Sequence, residues 1–169
     1  TAAGNTMVLK PSEQDPTATL LGAELALEAG IPPGVVNVIH GAHRSVNAIC
    51  DHPLVEAISF VGGDQAGKHI FSRGTANGKR VQANMGAKNH GIILPDCERE
   101  ATIGALVGAG FGAAGQRCMA LPTWIFVGDS YDKMIESITE KAQELKVSDW
   151  KDPETSVGPI ISKSSLDRI

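Results

Sequence analysis

Apolar and polar positions in the first half of this chain follow a repeating rhythm of short extended runs and longer helical stretches. Thr6 to Leu9 is a brief apolar run that gives way to Lys10-Pro11-Ser12, and Asp15-Pro16 then reads as an N-cap with proline at the first helical position. The helix starting there carries Leu20, Leu21, Leu25 and Leu27 among alanines and stops at Gly30, because Pro32-Pro33-Gly34 forbids continuation. Val35 to Ile39 is β-branched except for Asn37 and predicts a buried strand. Arg44 to Asp51 predicts a short helix ending before Pro53, and Ala57 to Val61 a third strand closed by Gly62-Gly63. Asp64 reads as the cap of a helix that ends near Gly74, and Arg80 to Asn84 is a fourth extended segment.

Crossovers of roughly 17 to 25 residues separate these strands, which is too long for hairpins and suits parallel pairing through helices. The alternation predicts an α/β fold built on an open parallel sheet with helices on both faces, with ligands at the carboxyl ends of the strands. Those ends are Lys10 to Glu13, Gly41, Gly62-Gly63 and Asn84-Met85-Gly86, where the sequence turns to glycine and polar residues.

After Gly86 the pattern changes. His90 to Leu94 predicts a strand, Pro95-Asp96 a turn, Glu98 to Ala114 a glycine-rich helix, and Thr123 to Val127 another strand. Tyr131 to Leu145 has Met134, Ile135, Ile138, Ala142 and Leu145 at helical spacing with charges between them, which marks an amphipathic helix with a core face. Between helix and strand lies Gly115-Gln116-Arg117-Cys118, preceded by glycines at 104, 108, 110 and 112. Each costs a helix roughly 1 kcal/mol relative to alanine, so they read as room for another group to approach the backbone beside the Cys118 thiol. Gly110 to Gly115 also spells G-x-G-x-x-G, but it follows a helix and precedes a strand, the reverse of a dinucleotide fingerprint.

Composition narrows the function classes. With 169 residues, 42% hydrophobic, and a formal charge of -4, the chain fits a soluble globular protein without general attraction to nucleic acid or anionic membrane. Lys79-Arg80 is interspersed with acids and lacks aromatic neighbours. No apolar run reaches membrane-spanning length. Three cysteines, at 50, 97 and 118, form no CxxC pair, and His40 and His43 have no second ligand pair, so neither a disulfide framework nor a metal site is expected. The start without methionine and the helix opening at Lys163 read as the two ends of an internal fragment.

Five segments carry a resemblance. Gly4 to Glu13, Gly34 to Val38, Ile58 to Gly62, Gly86-Ala87-Lys88-Asn89 and Gly115 to Cys118 occur in the order and spacing seen in aldehyde dehydrogenases. The resemblance covers essentially the whole chain. It implies a Rossmann-like NAD-binding domain, of which residues 1–85 are the C-terminal part, leading into an α/β catalytic domain, of which 86–169 are the N-terminal part. It implies that Lys10 and Glu13, with Gln14 adjacent, meet the adenosine ribose, that Gly62 and Gly63 lie near the pyrophosphate, and that Gly86 belongs to the same cofactor site. It makes Cys118 the nucleophile.

One departure is informative. Where hydrolytic members carry Glu-Leu-Gly-Gly-Lys, this chain reads Asn84-Met85-Gly86-Ala87-Lys88, and an amide cannot serve as the general base that activates water against a thioester. Together with Asn89-His90-Gly91, Phe111 to Leu121 and Cys50 to Pro53, this resembles the CoA-acylating branch of the family. That branch implies NAD as oxidant, coenzyme A as acyl acceptor, malonate or methylmalonate semialdehyde as substrate, and acetyl-CoA or propionyl-CoA with carbon dioxide as products. It further implies a homotetramer and, in eukaryotes, a mitochondrial step of valine and pyrimidine catabolism. Asn84 and Arg117 are the candidate substrate residues. Arg117 either pairs with the substrate carboxylate or ties down its own loop. A hydrolytic semialdehyde dehydrogenase with a base from elsewhere, and a non-catalytic dinucleotide-binding fragment, stay open as alternatives.

Overall fold

The computed structural model describes residues 2–169. The chain divides into two compact units, one running to Met85 and the other spanning Gly86–Ile169.

The first unit contains β1 (Met7–Leu9), α1 (Thr17–Glu28), β2 (Val36–Val38), α2 (His43–Asp51), β3 (Ala57–Val61), α3 (Asp64–Ala76) and β4 (Arg80–Asn84). β1 lies parallel to β2, with Met7 opposite Val36 and Leu9 opposite Val38. β3 lies parallel to β4, from Ala57 opposite Arg80 to Val61 opposite Asn84. The predicted open sheet is thus present as separate parallel ladders, with no strand hydrogen bonding between β2 and β3 among the described residues. β2 is shorter than the apolar run that encodes it and only half-buried, in place of the buried strand expected.

Helix ends differ from the sequence reading in instructive ways. Pro16 itself occupies the N-cap of α1 with no side-chain hydrogen bond, so Asp15 is not the cap. Gly63 is the N-cap of α3, and Asp64 lies in its first turn, where an acid suits the helix dipole. α3 also runs past Gly74 to Ala76 and stops before Gly78, whose φ is +74°. Gly74 is a packing residue: a Cβ there would lie 2.7 Å from Val81 Cγ2, and one at Gly67 would lie 2.5 Å from Met85 Cγ. These two glycines let the helix approach β4 and the residue that follows it closely. Lys79, although lysine is among the residue types least often buried, is buried. Its Nζ donates to His52 O at 2.6 Å and Val55 O at 2.7 Å, satisfying carbonyls just past the end of α2.

The second unit contains β5 (His90–Ile93), α4 (Arg99–Phe111), a 3-10 turn (Gly112–Gly115), β6 (Thr123–Phe126), α5 (Ser130–Gln143) and α6 (Lys163–Arg168). β5 and β6 are parallel, with His90 opposite Thr123 and Ile93 opposite Phe126. Glu98 caps α4 by accepting from the amides of Glu100 and Ala101. The core is Ile93 from the sheet, Ile103, Leu106 and Val107 from α4, and Met134 and Ile138 from α5, with Trp124, Phe126 and Leu121 packed against it. Each such side chain contributes about 1.5–3 kcal/mol on burial, and Met134 and Ile138 place that contribution on one face of α5.

α4 does not reach Ala114. It ends at Phe111, and Ala113 and Ala114 both adopt left-handed backbone conformations, with φ of 51° and 54°. Each costs a non-glycine residue roughly 1–3 kcal/mol. The chain is redirected there, immediately ahead of Cys118.

Candidate functional site

Two groups of expected site residues lie at strand ends of the first unit. Past β1, the Lys10 ammonium donates to Pro11 O at 2.5 Å, to Gly41 O at 2.7 Å, and to Glu13 Oε2 at 3.3 Å. Lys10 therefore joins the ends of β1 and β2, and its longest bond is the one to Glu13. Glu13 is exposed, and its carboxyl is held below its ordinary range by a backbone hydrogen bond first and by Lys10 second. Gln14 is exposed, its backbone N–H donating to Ser12 Oγ at 3.2 Å. Beside Gly41 an open hollow of about 480 Å³ is lined by Gly41, Ala42, His43, Arg44 and Ser45. Gly41, at φ +132°, is in a backbone conformation that strains any side chain, and a Cβ there would also displace Ser45 Oγ, 2.0 Å away.

At the ends of β3 and β4, the Gly62 N–H donates to Asn84 O at 3.1 Å. Gly62 has a packing reason of its own, because a Cβ would lie 2.5 Å from Phe60 Cζ. Gly63 has open space around it and stands at the start of α3, where first-turn amides and the helix dipole suit an anion. Asn84 is the last residue of β4 and is exposed, as is Gly86 at the start of the second unit.

In the second unit Cys118 is an exposed free thiol at the tip of a turn that Ala120 N–H closes onto Arg117 O at 3.2 Å. Cys50 is buried, which pushes its thiol up in pKa, and Cys97 is half-buried against the core. Thiol access thus singles out Cys118. Asn89, just ahead of β5, donates from Nδ2 to Cys118 O at 2.8 Å and to Ala120 O at 2.9 Å. On the other side, Gln116 Oε1 accepts from Ile161 N–H at 3.3 Å. Asn89 and Gln116 both fall in segments that carry the family resemblance, but nothing in the sequence indicated their contacts, since their partners lie 29 and 45 positions away.

The glycines ahead of Cys118 divide into two kinds. At Gly104 and Gly108 a Cβ would meet nothing within 4 Å, whereas at Gly110 it would strike Trp124 Cζ2 at 2.8 Å. At Gly112 it would lie 2.6 Å from Arg117 Nη1, so the guanidinium folds back over the Gly112 backbone. Arg117 is exposed, and its side chain has no ion pair or hydrogen bond among the described residues. Gly110 therefore serves internal packing in place of the approach to the thiol that the sequence suggested for all of them, whereas the contact at Gly112 is with the mobile end of an exposed side chain. No group of three or more His, Cys, Asp or Glu placed to hold a metal occurs among the described residues.

Comparisons with known proteins agree along the full chain. A Caenorhabditis elegans protein named a probable methylmalonate-semialdehyde/malonate-semialdehyde dehydrogenase, acylating and mitochondrial, is 60% identical over 169 residues, covering 99% of this chain and 32% of its own length. The crystal structure of methylmalonate-semialdehyde dehydrogenase from Oceanimonas doudoroffii superposes with a TM-score of 0.86 at 43% identity, over 98% of this chain and 34% of that one. A Sinorhizobium meliloti 1021 protein crystallised in complex with NAD gives a TM-score of 0.87 at 39% identity, over 99% and 34% of the two chains. This chain spans about a third of the length of the curated relatives it matches. The sequence model of the aldehyde dehydrogenase family matches residues 1–169, and the chain belongs to that family.

Proposed function

We propose that this chain carries the nucleophile and part of the dinucleotide site of an acylating semialdehyde dehydrogenase. The reaction is oxidation of methylmalonate or malonate semialdehyde with NAD, loss of carbon dioxide, and delivery of the acyl group to coenzyme A as propionyl-CoA or acetyl-CoA. The observation that carries this reading is the exposed Cys118 thiol on a tethered turn, in a chain matched throughout by the family and similar to relatives named acylating.

Residues 1–85 form the dinucleotide part and 86–169 the nucleophile part. Glu13, with free carboxylate lone pairs, accepts from ribose hydroxyls. Lys10 orients it, and the 3.3 Å bond between them is the one a hydroxyl can replace. Gln14 flanks this clasp. Gly62 and Gly63 lie nearest the pyrophosphate, with open space at Gly63 beside the start of α3, and the family resemblance supports Gly86 as a cofactor residue. When bound, the dinucleotide supplies the hydride acceptor.

Cys118 Sγ, as thiolate, adds to the aldehyde carbon, and oxidation of that adduct leaves an acyl thioester on the cysteine. The bond between the α-carbon and the carboxylate then breaks, carbon dioxide leaves, and the electron pair, delocalised onto the thioester carbonyl, is taken up with a proton from solvent at the α-carbon to give the propionyl or acetyl thioester. The thiol of coenzyme A then attacks the thioester carbonyl, and the bond to Cys118 breaks and returns the thiolate. Asn84, standing where hydrolytic members have glutamate, provides no base for water, so the thioester persists for the thiol acceptor. Arg117, exposed and unpaired by any carboxylate among the described residues, pairs with the substrate carboxylate. The family resemblance supports a homotetramer, and the mitochondrial names of eukaryotic relatives support the mitochondrial matrix for a eukaryotic source.

The test is Cys118→Ala in the complete polypeptide, with Cys97→Ala as control. NADH formation should vanish only in the first, and the unaltered enzyme should yield acyl-CoA with coenzyme A present and turn over poorly without it. Rapid formation of free acid in the absence of coenzyme A would instead establish the hydrolytic alternative.

A further inference from the structure

We infer that Asn89 is a positioning residue for the nucleophile, gripping the Cys118 turn by two carbonyls and referencing it to the β5–β6 sheet. The inference rests on the reading of Cys118 as nucleophile and extends it to a residue with no chemistry of its own. Cys118 and Met119 occupy the exposed tip of a turn whose closing bond, Ala120 N–H to Arg117 O, is 3.2 Å long. An exposed turn closed by one such bond is soft. The neighbouring tethers, Gln116 N–H to Ala113 O at 3.0 Å and Leu121 N–H to Ala109 O at 3.2 Å, flank the turn without reaching residues 118 or 119.

Asn89 supplies what these lack. Its Nδ2 has two protons, and both are used, on Cys118 O at 2.8 Å and Ala120 O at 2.9 Å. These are the only side-chain hydrogen bonds to residues 118–120 among the described residues. Two bonds from one amide fix the peptide planes following residues 118 and 120 together, which removes the rotation that would swing the Cys118 Cα–Cβ bond. Asn89 is half-buried and immediately precedes His90, the first residue of the β5–β6 ladder. The turn is therefore held against the β5–β6 ladder of its own unit, and displacing a nucleophile by about 1 Å can cost about 10²-fold in rate.

The test compares Asn89→Ala and Asn89→Asp with the unaltered protein. Asp keeps the size of the side chain but offers two acceptors to two carbonyls. In the complete polypeptide, kcat should fall about 10²-fold for both variants, with Asp at least as impaired as Ala and KM for NAD unchanged. In the 169-residue chain, the amide of Ala120, which donates to Arg117 O, should exchange faster while those of α4 and α5 keep their protection. Should both variants unfold, the unaltered chain decides: the two Asn89 side-chain amide protons should exchange more slowly than those of a free asparagine. Free-rate exchange of those protons, or wild-type kcat in both variants, would overturn the inference. If Cys118→Ala retained activity, the nucleophile assignment would fail separately, whatever Asn89 did to exchange.

Discussion

Gly108 and Gly110 sit two positions apart in α4 and should respond to alanine in opposite ways. Both lie in a helix, so replacing either glycine gains about 0.5–1 kcal/mol of backbone preference. At Gly108 the new methyl meets nothing within 4 Å, so the gain stands alone. At Gly110 the methyl lands 2.8 Å from Trp124 Cζ2. The indole cannot simply swing aside, because its Nε1–H donates to Leu121 O at 2.8 Å and the ring packs against the core. Forcing a methyl into such a contact costs about 1–3 kcal/mol. The preference terms cancel between the two variants, so Gly110→Ala should be less stable than Gly108→Ala by about 1–3 kcal/mol.

Urea unfolding followed by tryptophan fluorescence measures this directly, since Trp124 and Trp150 both lie in the second unit. With a slope of about 1–3 kcal/mol/M, the two midpoints should differ by roughly 1 M, with Gly108→Ala at or above the unaltered chain. A Gly110→Ala midpoint equal to or higher than that of Gly108→Ala would show that the Trp124 contact does not set the requirement for glycine.

Two further outcomes are expected. Arg117→Lys keeps the charge but loses the bidentate fork, so it should lower kcat/KM for methylmalonate semialdehyde by roughly 1.5–3 kcal/mol and leave propanal nearly unaffected; equal losses on both substrates would assign Arg117 to holding its loop over Gly112. Asp51 accepts from Arg73 Nε at 2.8 Å and Nη2 at 2.7 Å, and this hydrogen bonding holds its carboxyl below the ordinary range. A depressed carboxyl stabilises the fold above its unfolded pKa and loses that contribution as pH falls through the folded one, so Arg73→Ala should flatten the acid limb of stability below about pH 4 while changing little of its shape between pH 6 and 8.

Much of the fold was legible because its signals are local. β3 and β4 occupy the intervals read from the sequence as a strand closed by Gly62-Gly63 and a further extended segment, Ala57–Val61 and Arg80–Asn84. The core face of α5 follows from the spacing of Met134 and Ile138, which both end up buried. Strand propensity and helical periodicity act over a few residues, so a reader of the sequence sees them whole. The family too was legible, since its motifs are contiguous and in order. Cys118 stood out among three cysteines by its glycine-rich approach, although Gly110 is required by its packing against Trp124.

What only the tertiary structure decided involves partners distant in sequence. Lys79 is buried because two carbonyls 24 and 27 residues earlier lie at its ammonium, a match that no composition rule for lysine anticipates. Ala113 and Ala114 adopt left-handed conformations that alanine does not favour alone, so the end of α4 cannot be read from helix propensity. The same holds for the turn at Cys118. Its residue types announce a reactive thiol, but its orientation depends on Asn89 from another element, and a hydrogen bond across 29 residues is settled only when the chain has folded.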